Sequence, residues 1–445
     1  MVFRQASSVT PHLRLSHGPL SLLDEPTVAA LVDTGVTGRW HRLRMPALRV
    51  RDFRLLLVSQ FTRGISYWMQ FVTVPLLVIA LGGGGLELGF AAMLLTGPIL
   101  IFAPIGGVLA DRLPRRPLLI AAQLILTVQA LALLVLALLA SPASLPWVFT
   151  LALVFGLVAA VEFPVRLSIM SDLVPSPTLP NAIALHAIGF NATRMAGPAL
   201  AGILVAAAGP PLAFAVGALG SGIALLMMAL IRPISVHTDE AFAAPLAALA
   251  DGVRYVFAHS SLLWPLSAVA AVSVLGLAFQ AILPLHALGV LGVGEAGYGF
   301  LLGMLGTGAV AALVVFGALD PAHSIAHIII GLAACGVLLA VFAMLSDPLV
   351  AAIVLSGVGF AAILGAASAQ LVIQSLVHDR YRGRVLGMYV ALFNGGAAVG
   401  GMAAGSLVDV VGTRGVLLSS GIALGLLMLL LGPRLRAAEL RTAES

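Results

Sequence analysis

Three charged side chains stand inside long apolar runs of this 445-residue chain: Arg63, Glu162 and Arg194. A charge held in an apolar layer costs several kcal/mol, roughly 2.5–3.5 on membrane-insertion scales, unless water or a partner meets it. An arginine and a carboxylate at matching depth can meet each other. Paired, the carboxylate stays ionised; parted from the arginine in a less polar setting, it takes up a proton. The chemistry open to such a pair is proton binding and release. Asn191 precedes Arg194 by about one helical turn on a similar face and can hold its guanidinium. Gly197, Pro198 and Gly202 follow directly. Pro198 cannot donate to the carbonyl of Arg194, so a helix bends there, and the small residues let another helix approach closely.

The elements that carry these residues are set by composition. Sixty per cent of the chain is hydrophobic and 9% is charged, with a mean hydropathy of +1.11, values that a water-soluble domain cannot carry without large exposed apolar patches. The expected class is an all-α integral membrane protein. Roughly 20 apolar residues are needed to cross about 30 Å of hydrocarbon, and twelve runs qualify: 54–81, 87–110, 117–140, 146–169, 180–207, 211–231, 262–289, 295–318, 323–345, 348–373, 384–410 and 413–432. The chain divides into a basic tail (1–52), a first six-helix half (53–231), a linker (232–261), a second half (262–432) and a short tail (433–445). In the linker, Leu246, Leu249, Val253, Val256 and Phe257 follow helical spacing, which predicts an amphipathic helix on the membrane surface. Arg63 then lies about 15 Å into the first helix, Arg194 about 20 Å into the fifth, and Glu162 about 10 Å from the end of the fourth.

Arginine placement orients the map. If the amino terminus is inside, twenty of the 23 arginines fall in inner loops and tails, Arg166 counted among them, and Arg414 alone falls outside. Both termini are therefore expected to be cytoplasmic, in a cell membrane. The first 52 residues read as a disordered basic tail, with translation from Met45 as an alternative. Every basic residue is arginine and none lysine, which excludes a Walker-A phosphate loop and Schiff-base chemistry. Cys335 stands alone, and His186 and His286 lack metal-ligand spacing, so no disulfide, metal site or other cofactor is expected. The high pI reports loop topology and not nucleic acid. No catalytic dyad or nucleophile motif is present, so an enzyme is not expected.

An internal repeat links the halves. An offset of 203 superposes Phe190 and Asn191 on Phe393 and Asn394, Gly197 on Gly400, Gly202 on Gly405 and Gly209 on Gly412, while Arg194 meets Ala397. Duplicated six-helix halves with a site between them are a plan of secondary transporters. The segment GGVLADRLPRRPLL resembles the signature loop of the major facilitator superfamily at Gly107, Asp111, Arg112, Arg115 and Arg116, with Pro114 where a glycine is usual. The segments LPNAIALHAIGFNATRMAGPALAG and GRVLGMYVALFNGGAAVGG resemble its drug-efflux and enterobactin-exporter branch. The resemblance implies that Asp111 bridges to the start of helix 11, near Arg382 to Arg384, as a conformational latch locking the outward-facing state. It also implies that the Gly-Pro motif of helix 5 belongs to antiporters, and that Arg63 and Glu162 pair across a central cavity. The function expected is a monomeric, proton-coupled exporter of small amphipathic molecules. An importer of the same fold, and a non-transporting receptor or assembly protein, remain open.

Overall fold

The computed structural model describes residues 45–232, 245–320 and 323–443, so the tail before Met45 and the first part of the linker lie outside the described residues. Among the described residues the chain is helical, without strands. The helices are α1 (Arg51–Ala80), α2 (Gly85–Arg112), α3 (Arg115–Leu139), α4 (Leu145–Leu173), α5 (Leu179–Ala229), α6 (Pro245–Ala258), α7 (Ser260–Ala271), α8 (Leu283–Gly289), α9 (Gly294–Phe316), α10 (Ser324–Met344), α11 (Pro348–Leu376) and α12 (Arg382–Ala443). Among the described residues, ten helical stretches are long and apolar enough to cross a membrane. Leu138, Trp147, Leu219, Val314, Ile330 and Leu429 are each more than 60% exposed. In water they would form an aggregating surface; on an integral membrane protein they face lipid.

Two of these helices are too long for one crossing. At 1.5 Å per residue, α5 would extend about 76 Å, more than twice the hydrocarbon thickness. Its backbone breaks at Ala208 and Gly209, the latter at φ +74°, and Pro210 and Pro211 follow. The two limbs run along α1 in opposite senses. Gly64 packs on Thr193 and Trp68 on Gly197, whereas Ser66 Oγ donates to the Gly217 carbonyl (2.9 Å) and Ser59 Oγ to that of Ala224 (3.1 Å). Both ends of α5 return to the start of α1, where Asn181 accepts from the Ala47 N–H and Arg232 pairs with Asp52. The second long helix, α12, repeats the device at Gly412 (φ +71°). Past it Arg414 meets Ser346, Gly421 packs on Gly336 and Gly432 sits beside Ile329, so this limb descends along α10.

Only glycine enters this backbone region freely. A Cβ at Gly412 would meet nothing within 4 Å, so the cost of a side chain there is backbone strain alone. Gly412→Ala is expected to destabilise the protein by about 1–3 kcal/mol, read as a lower Tm of the purified protein.

The halves meet where glycines allow backbone contact. On α5, a Cβ at Gly202 would come 2.7 Å from the Glu295 carbonyl and 2.9 Å from Gly299 Cα of α9. On α12, Gly405 stands in the same way against Gly85 and Gly89 of α2. The glycines that the repeat superposes thus make equivalent contacts in the two halves. Both lie near the first turns of α2 and α9, at the end of the bundle away from the start of α1.

The expected seventh span, 262–289, is not one helix. After α7 the chain passes through a π-helical turn (Val272–Leu277) and a 3-10 turn (Ala278–Ala281) before α8. Pro284 cannot donate to the carbonyl of Gln280, so a new helix has to begin, with the proline in its first turn. The widened turn is gripped by α12. Its Val274 carbonyl lies against Gly400, and Ser273 Oγ donates to the Phe393 carbonyl.

Candidate functional site

The first half buries an ionic triad. Glu162 projects from α4 and accepts from two arginines. Arg63 of α1 donates through Nε (2.9 Å) and Nη2 (2.7 Å) to one carboxylate oxygen. Arg166 of α4 donates through Nε (3.2 Å) and Nη2 (2.7 Å) to the other. Gln123 of α3 adds its amide Nε2 to the oxygen that Arg166 holds, and Ser59 Oγ lies 3.4 Å from Arg166 Nη1. The three charged side chains are between 4% and 8% exposed. Tyr67 lies under the Arg63 guanidinium, 4.8 Å from ring centroid to Cζ, and stacks on Phe155. Two guanidiniums against one carboxylate leave one excess positive charge in a dry setting. Such a cluster is stable only while each buried charge keeps its counter-charge and hydrogen bonds.

The sequence expects Arg63 to meet Glu162, and it does, but not across a central space. Neither residue lines the cavity described below; the pair sits within the first half, behind Tyr67 and Phe155. Arg166, counted above among the inner-loop arginines, is a buried member of the triad. Arg166 lies three residues inside the end of the fourth predicted span, 146–169, and α4 runs on to Leu173, which sets it a further turn from the helix end. The signal for it was the Glu162-to-Arg166 spacing of four residues, which places both on one helix face. Gln123 had no local signal.

Between the halves lies an open cavity enclosing about 830 Å³, its opening to solvent included. Its walls come from α1 (Trp68, Phe71), α2 (Thr96), α5 (Arg194, Pro198), the irregular segment after α7 (Gln280), α9 (Tyr298) and α12 (Ala397). Tyr298 ties the halves by donating to the Phe71 carbonyl (3.3 Å). Arg194 is the one charged side chain among the described residues of the wall. Its Cζ rests 5.5 Å from the centre of the Trp68 ring, a cation–π contact. The expected partner, Asn191, is not there: its amide donates to the Ala187 carbonyl one turn back (2.9 Å). An asparagine inside a helix can satisfy itself on its own backbone, and Trp68 already covers the guanidinium.

Of the helix-5 residues, Pro198 lines the cavity, Gly197 admits Trp68 against the helix, and Gly202 forms the contact with α9. In the signature loop, Arg115 pairs with Asp172 at the end of α4 (2.8 Å) and Arg116 donates to the Ala229 carbonyl (2.7 Å). Both tie the loop to its own half. The side chains of Gly107, Asp111 and Arg112 lie outside the described residues, and with them the expected bridge to α12. At that end of α12, Arg384 lies 3.7 Å from Asp251 of α6, and Tyr381 stacks on Tyr255 (4.2 Å). Helix α6 thus grips the start of α12, and its Phe257 stays 70% exposed.

Residues 44–445 match the family described as transmembrane secretion effector. The enterobactin exporter EntS of Salmonella typhi is 26% identical over 392 residues, covering 86% of this chain and 93% of that protein. With the enterobactin exporter of Shigella flexneri the match is 27% over 223 residues, 50% of this chain and 54% of the relative. In fold the chain is similar to the crystal structure of the nucleoside transporter NupG (TM-score 0.68, 15% identity, 87% of this chain and 98% of that one). It is likewise similar to the inward-facing, unoccupied bacterial homologue of the human lysosomal transporter Spinster (TM-score 0.65, 15% identity, 87% and 96%).

Proposed function

Since the chain belongs to the transmembrane secretion effector family of major facilitator transporters, we propose that it is a proton-coupled exporter of small amphipathic organic molecules, of drug or siderophore type, working by alternating access as a monomer. Its topology in this reading is twelve spans, with α5 and α12 each counted as a hairpin, and both termini cytoplasmic. The arginine asymmetry supports that orientation. The family description and the relatives named as exporters support the direction.

The observation that carries the coupling is the position of Glu162. Protonating it in the triad would strip two buried guanidiniums of their counter-charge, so proton uptake has to wait until Arg63 leaves. Arg166 shares a helix with Glu162 and moves with it; Arg63 stands on α1 and can be drawn away when α1 shifts against α4. Gln123 suits both states. Its Nε2 now donates to the carboxylate while its Oε1 is buried without a partner. Turned over, that oxygen accepts from the protonated acid. In this cycle the signature residues Gly107, Asp111, Arg112, Arg115 and Arg116 latch the inner ends of the helices, and the Gly-Pro bend of α5 lets the half flex.

The test is made in inside-out membrane vesicles energised to be acid inside, with a panel of amphipathic drugs and siderophores and a fluorescent weak base reporting the gradient. Substrate-dependent loss of the gradient is expected; no response across the panel from correctly inserted protein would count against the proposal. Gln123→Leu, which removes one hydrogen bond to a charged group worth about 1.5–3 kcal/mol, is expected to slow this exchange about tenfold while leaving substrate binding in place.

A further inference from the structure

We propose that Arg194 is the anion-recognition residue of the central cavity, and that the transported class is amphipathic molecules carrying one acidic group, such as a carboxylate, beside an aromatic or apolar body. This rests on the reading of the cavity as the transport site.

The argument starts from charge. Deep in the first half, three arginines face one carboxylate. Arg63 and Arg166 fully engage Glu162 from both sides, so Arg194 is left over. Among the described residues it has no hydrogen-bond or ion-pair partner; its guanidinium rests over the face of Trp68. A cation at this depth persists where it meets water or an anion, and Arg194 lines a cavity that opens to solvent and can offer either. The repeat sharpens this, because the equivalent position in the second half is Ala397, which lines the same cavity without charge. The cavity is therefore polarised, with a guanidinium on one wall and alanine opposite.

The remaining walls say what accompanies the anion. Trp68 and Phe71 present aromatic surface, and Gln280 and Thr96 add neutral polar groups. The Gln280 amide donates to the Leu277 carbonyl and the Thr96 hydroxyl to that of Ala92; both are neutral, so the charge on this wall is that of Arg194. A guanidinium presents two parallel donors that match a carboxylate. A pocket of this kind orients its ligand by a few polar groups and gains affinity from the apolar remainder.

The test uses the full-length protein in lipid nanodiscs, without a gradient, and three probes of one shape: 1-naphthaleneacetate, its neutral methyl ester and 2-(1-naphthyl)ethylammonium. Binding is measured by isothermal titration against empty discs. The carboxylate is expected to bind about tenfold tighter than the ester, as one charge-assisted contact implies, and the cation weakest. Arg194→Gln is expected to erase the difference between carboxylate and ester, and Arg194→Lys to keep part of it. Equal or weaker binding of the carboxylate by the unmodified protein, discrimination that survives Arg194→Gln, or no binding of any probe would each overturn the proposal. Comparison of the probes on the unmodified protein needs no variant to fold. Anion discrimination in the discs without proton exchange in vesicles would instead sink the exporter reading alone.

Discussion

Glu162→Gln is expected to reduce gradient-driven transport to background while substrate still binds. The reasoning has two parts that pull on different measurements. A glutamine cannot exchange a proton, so coupling through this position ends. It also leaves Arg63 and Arg166 buried without a counter-charge, and removing one partner of a buried ionic cluster costs about 3–5 kcal/mol, which should appear as a clear fall in Tm. Loss of transport by this variant alone could therefore reflect a weakened fold. The double variant Arg63→Gln with Glu162→Gln separates the two. It removes one of the stranded charges, restores an amide pairing across α1 and α4, and is expected to recover part of the stability and keep the binding, yet remain uncoupled. Proton-driven transport at the normal rate by either variant would refute the assignment of Glu162 as the coupling carboxylate.

A second large effect is expected from Gly202→Val. The valine Cβ would come 2.7 Å from the Glu295 carbonyl and 2.9 Å from Gly299 Cα, both backbone atoms that cannot turn aside as a side chain would. Helix α5 must move off α9, at an overpacking cost of about 1–3 kcal/mol. The seal between the halves at that end of the cavity then opens. Leu302, buried in the cavity wall, gives the readout. In a Leu302→Cys background, a membrane-impermeant maleimide applied from the face opposite the chain termini should label the Gly202→Val protein severalfold faster than its parent. Cys335 is fully buried and adds little background. Gly217→Ala, whose Cβ would meet nothing within 4 Å, serves as the comparison and should label like the parent. Unchanged labelling with normal transport in Gly202→Val would show that this contact does not gate the cavity.

Much of this architecture was legible without coordinates because lipid makes a local demand. Each crossing must satisfy its own backbone, so it is a helix, and a helix of fixed rise needs a fixed length of apolar sequence. Apart from the broken seventh span, hydropathy therefore marked the helical segments to within a few residues, from Arg51–Ala80 to Pro348–Leu376. The duplication singled out Gly209 and Gly412, the two points where long helices reverse. The signature residues and the helix-5 motif identified the superfamily to which the chain's relatives belong.

What the sequence determined by itself was thus the set of helices, their duplication and the residues too costly to bury without a reason. The tertiary structure decided which of those residues meet. Helix rotation and packing depth bring Arg166 into the triad and set Arg63 and Glu162 behind the cavity wall. They place Trp68, and not Asn191, against Arg194, and they unwind the chain after Ala271 where α12 presses on Val274. Beyond the four-residue spacing that puts Arg166 on the face of Glu162, none of these follows from local pattern, because a polar side chain in a helix can be satisfied equally by its own previous turn or by a neighbour, and only the packing of the helices selects between them.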